Sequence, residues 1–344
     1  MFLHSLATAV PSQRFLQPQC WDIIERSPAR QRLNKRSRLI LHSLLRGDHG
    51  VAQRHFAVPE IDRIFDLSPD ELNRAFRSAA PQLAESALLP ALRQAGLRPE
   101  QLDALLVCTC TGYLCPGVSS YVAEHLGLRP DTYLQDLVGL GCGAAIPTLR
   151  SVRNLLAAQP GATVACIAVE VCSAAFYLDD DPGVLISACL FSDGAAATVW
   201  RSEPGPSQLR ATGFDTLHLP AERDKLRFEL QNGKLRNLLD RTVPEFASGA
   251  VKTLWDRRGD RPVSRVVSHS GGVDVLDAIG AALPGYSLES SRTVLRDFGN
   301  MSSPSVLFAL EESLRSAQPG PDGDFWLVSF GAGFSAHSCR IARD

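Results

Sequence analysis

The amino-acid sequence predicts an α/β protein made of two halves of similar pattern. Three observations point there. Short apolar runs of strand type alternate with amphipathic helical segments over most of the chain. The closing segments of the two halves compare well, since "LFSDGAAATVW" and "VSFGAGFSAHSCRI" each run apolar, glycine-rich and apolar again. The length of 344 residues exceeds one ordinary domain, so two domains or one large layered body are expected.

Residues 1 to about 75 carry charge-rich helical patterns, among them "RQRLNKRSRLILHSLLR", and read as an excursion over a core that begins later. That core opens with "PQLAESALLPALRQAG", an amphipathic helix ended by Gly96, followed by the strand-like run "LDALLVCTCT". Beyond a loop with Pro116 and Gly117 come the helix "SSYVAEHLG", the strand "TYLQDLV" and the helix "AAIPTLRSVRNLLAAQPG". "TVACIAVEV" and "ACLFSDGAAATVWR" follow as strand-like runs separated by the acidic turn "LDDDPG". The second half repeats the order. It gives a helix "LLDRTVPEFASGAVKTLWDRRG", a strand "RVVSHSGG", a helix "VDVLDAIGAAL", a corner "DFGN", a helix "SPSVLFALEESLRSA" and paired strands in "DFWLVSFGAGFSAHSCRIA". The expected halves are 1–205 and 206–344, with the substrate held where they meet.

Composition narrows the function. Hydrophobic residues make up 45% and charged residues 21%, as in an ordinary globular protein, and a net charge of −2 implies no nucleic-acid partner. No run approaches the ~18 apolar residues needed to span a bilayer, so no integral membrane association is expected. The start "MFLHSLATAVPSQRF" lacks a basic leader, and the nine cysteines lie mostly inside apolar strands. Both features fit reduced thiols and a cytoplasmic location.

The segment "LVGLGCGAAIPTL" places Cys142 between two glycines at the seam of an apolar run and a helical pattern. A helix beginning there puts the thiol in the first turn, where unpaired N–H groups and the positive dipole end favour a thiolate. Gly141 and Gly143 then leave a substrate room to reach the sulfur. A small core residue at a tight turn explains the same pattern. His269 follows the apolar "RVV" and precedes Gly271 and Gly272, so it stands at a strand end, although a lone histidine is commonly structural. Asn300, in "DFGNMSSPS", fits a helix N-cap or a turn as well as a catalytic amide.

Taken together and in order, "QDLVGLGCGAA", "LFSDGAAA", "SHSGG" and "FGNMSSPSVLFALEE" resemble the type III polyketide synthases, the chalcone synthase-like branch of the thiolase superfamily, over nearly the whole chain. The resemblance implies a five-layered αβαβα fold, a homodimer, and a Cys142, His269, Asn300 triad. It also implies acyl-CoA and malonyl-CoA as substrates, with no metal or redox cofactor. In those roles Cys142 attacks an acyl-CoA thioester as a thiolate held by an ion pair with His269. Malonyl-CoA then loses carbon dioxide, and His269 and Asn300 hold the enolate oxygen.

The resemblance further assigns Phe191 and Phe228 to a gate between a CoA tunnel and a cyclisation cavity, Cys115 to a loop crossing the dimer interface, and Ser302 to a place beside the asparagine. Cys110, Cys172 and Ala175 stand where chalcone synthase has threonines, and Leu219 where it has a glycine. The first three imply room for a fatty acyl starter and an alkylpyrone or alkylresorcinol product; Leu219 implies a filled elongation cavity. Ala332 replaces a proline in the loop that shapes the cavity. Arg36, Arg38 and Arg46 are the candidate CoA ligands. Cys108, Cys110 and Cys115 lack the spacing of a zinc ribbon, so no metal is expected. A single-step condensing enzyme of the ketoacyl synthase III kind, or a silent partner subunit, remain the alternatives.

Overall fold

The computed structural model describes residues 1–260, 262–316 and 324–343. Its thirteen strands are β1 (Phe2–Ala9), β2 (Arg14–Leu16), β3 (Gln53–His55), β4 (Ala104–Cys108), β5 (Tyr133–Leu137), β6 (Val164–Glu170), β7 (Gly194–Arg201), β8 (Leu209–His218), β9 (Leu226–Gln231), β10 (Lys234–Leu239), β11 (Val263–Ser268), β12 (Asp324–Gly331) and β13 (Ser335–Arg343). The helices are α1 (Gln17–Arg26), α2 (Lys35–Arg46), α3 (Pro69–Gln94), α4 (Val118–Leu126), α5 (Ala145–Ala158), α6 (Pro182–Leu190), α7 (Val243–Arg257), α8 (Val273–Ala282), α9 (Glu289–Phe298) and α10 (Ser305–Arg315). None of these helices is long and apolar enough to cross a membrane.

Nine strands form one sheet in the order β11-β12-β13-β8-β1-β7-β6-β4-β5. The duplication is written in its pairing. β1 runs antiparallel to β7, β7 antiparallel to β6, and β6 parallel to β4. In the same way β8 runs antiparallel to β13, β13 antiparallel to β12, and β12 parallel to β11. The halves join through the pair Phe2↔Arg210.

Side-chain alternation turns this sheet into five layers. On β6, Ala165, Ile167 and Val169 belong to a core shared with α3, whereas Val164, Cys166 and Ala168 face a second core. That second core takes in α5 and α10 and receives Leu327 from β12. Trp326, Val328 and Phe330 of β12 point the other way, into a third core with α7 and α8. Because both faces of these strands are buried, they read as continuous apolar runs. The layers are therefore outer helices, half-sheet, α5 with α10, half-sheet and outer helices.

Three expectations are corrected. The first residues are not an excursion, because β1 lies between β7 and β8 at the centre of the sheet. Its pattern of two short apolar stretches broken by His4 and Thr8 hides it. "ACLF" ends the helix α6 rather than starting a strand, since Asp181 caps that helix through bonds from the N–H groups of Gly183 and Val184. The segment before α7 is the hairpin β9–β10, turned by Asn232 (φ 51°) and Gly233 (φ 73°), the pair of left-handed residues that a two-residue hairpin loop requires.

Candidate active site

Cys142 sits in a short 3₁₀ turn, Gly141–Gly143, directly before α5. The flanking glycines serve packing more than access. Gly141 has φ +55°, and a Cβ there would stand 3.0 Å from the Ala332 nitrogen. A Cβ on Gly143 would meet His337 at 3.1 Å and the backbone of Gly331 at 3.4 Å. The turn is thus pressed backbone to backbone against the end of β12, which Ser329 Oγ ties down by donating to the Gly143 carbonyl at 3.0 Å.

The sulfur's hydrogen bond comes from Ser302 Oγ at 3.2 Å, not from His269. Ser302 Oγ also lies 3.3 Å from the Cys110 sulfur and 3.4 Å from Glu170 Oε1. Glu170 is fully buried; Ser303 Oγ donates to its Oε1 at 2.6 Å, and Oε2 accepts from the N–H groups of Cys110 and Thr111 and from both threonine hydroxyls, Thr109 and Thr111. Burial raises this carboxyl above the usual range while these donors pull it back. Burial likewise pushes the Cys142 thiol up to about 12, with the Ser302 bond opposing and the Glu170 charge assisting. It drives His269 down to about 3. Burial thus disfavours the charged form of both groups, and in the substrate-free structure the sulfur's hydrogen bond is with Ser302 rather than with His269: desolvation opposes the helix-end field at a turn this deeply packed.

His269 follows β11, its N–H donating to the Val328 carbonyl at 2.9 Å and its ring standing edge-on to Phe330 at 5.2 Å. Its Nδ1 is sealed in the core without a partner, which leaves Nε2 as the nitrogen open to solvent space. Asn300 holds both of the roles open to it from sequence. Its Oδ1 accepts from the Ser302 N–H at 2.8 Å, making the turn into α10, and its Nδ2 donates to the Gly271 carbonyl at 3.3 Å. With the oxygen committed to the turn, the remaining N–H faces outward as a fixed donor. Arg54, itself buried, anchors the C-terminal end of α6 by donating to the carbonyls of Ala188 and Phe191.

Two cavities meet at Cys142. The outer one, about 710 Å³, is lined by Cys142, His269, Asn300 and Phe330, with Arg241, Arg292 and Arg296 in its wall. The inner one, about 40 Å³, is lined by Cys110, Cys172, Ala175, Phe228, Ser302, Ala332 and Cys142 again. Phe191 and Leu226 line both, so the junction belongs to them, and Phe228 stands only on the inner side. Leu219 lines neither; it packs against the third core with its N–H bound to the Phe334 carbonyl, which corrects its expected place in the elongation cavity. Cys115 is exposed and outside both cavities, while Cys108 is buried in β4, so the three clustered cysteines of the sequence point to different places.

Arg36, Arg38 and Arg46 of α2 line neither cavity, and Arg46 is paired with Asp22 at 2.7 Å. Sequence reading missed Asn237, Leu226, Glu170 and the arginines of the outer cavity. The asparagine-glycine hairpin signal at 232–233 was the clue to the first two; a glutamate closing the apolar run "CIAVE" was the clue to the third.

A family model described as FAE1/type III polyketide synthase-like protein matches residues 24–211, and one described as the C-terminal part of 3-oxoacyl-[acyl-carrier-protein] synthase III matches residues 260–342. The 1,3,6,8-tetrahydroxynaphthalene synthase of Streptomyces peucetius subsp. caesius is 30% identical over 344 residues, covering 96% of this chain and 89% of its own. The 3,5-dihydroxyphenylacetyl-CoA synthase of Streptomyces toyocaensis is 29% identical over 316 residues, covering 85% and 80%. Among solved structures, PKS-I from the brown alga Ectocarpus siliculosus superposes with a TM-score of 0.88 at 23% identity, covering 100% of this chain and 98% of its own. The type III polyketide synthase domain of Steely1 from Dictyostelium gives 0.87 at 21%, covering 99% of each. By the family match and by its identity to a relative along nearly its whole length, this chain belongs to the type III polyketide synthases, decarboxylating acyltransferases of the thiolase fold.

Proposed function

We propose that the enzyme loads a short acyl group from a CoA thioester onto Cys142, extends it with malonyl-CoA and closes the chain to a compact polyhydroxylated ring. The observation that carries this reading is the position of Cys142 at the junction of a wide outer cavity and a narrow inner one. CoA thioesters enter through the outer cavity, where Arg241 can meet phosphate, while Arg292 and Arg296 in the same wall are paired with Asp277 and Asp297. There His269 Nε2 takes the thiol proton as the thioester is attacked. CoA leaves as its thiolate; the amide of Asn300 and the Nε2–H of the protonated His269 then donate to the enolate oxygen left when malonyl-CoA loses carbon dioxide, and the enolate carbon attacks the cysteinyl thioester, releasing the Cys142 thiolate. As proposed, this asks for no metal or redox cofactor.

The inner cavity is far smaller than the outer one, about 40 Å³ against 710 Å³, which favours a compact group over a long alkyl tail there. The product names of the relatives, tetrahydroxynaphthalene and dihydroxyphenylacetyl-CoA, describe hydroxylated rings without an alkyl tail. A second reading, a medium or long acyl starter giving an alkylpyrone or alkylresorcinol, is favoured by the hydroxyl-free wall at Cys110, Cys172 and Ala175. Homodimer formation is proposed along the free edge of β5, where Tyr133 and Val138 are exposed beside the loop that carries Tyr113 and Cys115.

Mass-spectrometric screening of products from malonyl-CoA alone and with a graded series of acyl-CoA starters tests the proposal. Ring products from malonyl-CoA alone or with two- to four-carbon starters are expected. Preference for starters of eight or more carbons would replace it with the second reading, and activity only with malonyl-acyl carrier protein would point to ketoacyl synthase III chemistry.

A further inference from the structure

The hairpin β9–β10 closes one side of the inner cavity. On it Asn237 and Phe228 are register partners across the two strands, and both line that cavity. Asn237 is more than nine-tenths buried, at 7% exposure. Among the described residues its side-chain amide has no hydrogen-bond partner, yet neither of its polar atoms is sealed inside protein. A buried amide is costly to leave unsatisfied, so an open, unbonded one in a cavity wall points to a group that arrives from the cavity. Of the hydroxyls in the same wall, that of Tyr177 is unbonded among the described residues, whereas those of Thr111, Ser187 and Ser302 are already engaged. Thr111 Oγ1 donates to Glu170, Ser187 Oγ donates to the Gly183 carbonyl, and Ser302 Oγ donates to Cys142.

A poly-β-keto chain growing from Cys142 brings carbonyl oxygens at every second carbon, all acceptors and none donors. Inside an apolar pocket an unpaired carbonyl is disfavoured, so one fixed donor selects which carbonyl lodges beside it. That choice decides which carbon and which carbonyl of the chain can approach each other for ring closure.

We infer that Asn237 is a substrate-positioning residue, its Nδ2 donating to one β-keto oxygen of the growing chain and so setting the mode of ring closure; this rests on the reading of Cys142, His269 and Asn300 given above. The purified enzyme with malonyl-CoA tests it through two readouts, carbon dioxide released and ring-closed product by mass spectrometry. Asn237→Leu fills the same space without a donor, and it should lower ring-closed product per carbon dioxide about tenfold, the loss of roughly one hydrogen bond, with linear or lactone products rising. Asn237→Ser keeps a donor in a smaller side chain, and it should hold the ratio within about threefold of the unsubstituted enzyme. A purely steric wall gives the opposite order, leucine above serine, and that order, or an unchanged ratio in Asn237→Leu, overturns the inference while leaving the site reading intact. Should Asn237→Leu fail to fold, the serine variant decides alone, a loss beyond about tenfold counting against a donor role. Failure of the unsubstituted enzyme both to acylate Cys142 and to release carbon dioxide overturns the site reading and this inference with it.

Discussion

The two cavities that share Cys142 are built on opposite principles. The outer is wide, opens past arginines and presents polar atoms whose orientation is fixed from behind, Asn300 by its bond to the Ser302 N–H and His269 by its place at the end of β11. The inner is narrow, and of its polar groups the amide of Asn237 and the hydroxyl of Tyr177 are left without a partner among the described residues. Charge must be met by preorganised donors where it develops, whereas a growing chain must be shaped by walls and by few polar contacts. Under the proposed function, chemistry is set on one side of the sulfur and product identity on the other.

Four tests break or sharpen that contrast. Cys142→Ala removes the atom common to both cavities and should abolish the acyl-enzyme in intact-protein mass spectra; a persisting adduct elsewhere on the chain would move the nucleophile. Asn300→Ala removes a donor of the outer cavity and should slow malonyl-CoA decarboxylation by on the order of 10² to 10³ while acylation of Cys142 survives. His269→Ala should damage both half-reactions, and equal losses in the two variants would contradict the division of roles.

The resting thiol supplies the third. With Cys142 pushed up to about 12 and His269 down to about 3, the thiolate fraction rises about tenfold per pH unit across the neutral range. Iodoacetamide alkylation of the substrate-free enzyme should rise accordingly from pH 6 to 9. A plateau at neutral pH would reveal a thiolate already held by imidazolium. The smallest effect concerns the junction: Leu226→Ala should widen it and favour longer starters by roughly fourfold per added methylene that becomes buried. Ala175→Trp, filling the inner cavity, should shorten the product; unchanged products in both variants would place the size limit elsewhere.

Much of the outer side was legible in the sequence. Cys142, His269 and Asn300 each lie at the seam between an apolar run and a helical pattern, and such seams fall at the ends of strands and helices whatever the details of packing. The inner side was harder to read. Phe191 was found because it lies beside the "SDGAAA" turn. Asn237, by contrast, sits in a charge-rich hairpin whose first strand, "LRFELQ", alternates apolar and polar but whose second, "KLRNLL", does not, and Leu219 lies just before that hairpin, packed against the third core.

By itself the sequence determined the layered α/β body, its duplication and the order of its reactive residues, because periodicity, caps and glycine corners act locally along the chain. The tertiary structure alone decided the rest. It put β1 at the centre of the sheet, since a strand's place depends on partners some two hundred residues away. It also turned the glycines around Cys142 into a close backbone contact with β12, gave the thiol to Ser302 in surroundings that disfavour its charge, and left the amide of Asn237 open to the inner cavity. Each of these follows from burial and through-space neighbours, which are properties of the packed molecule and have no signature in the local run of residues.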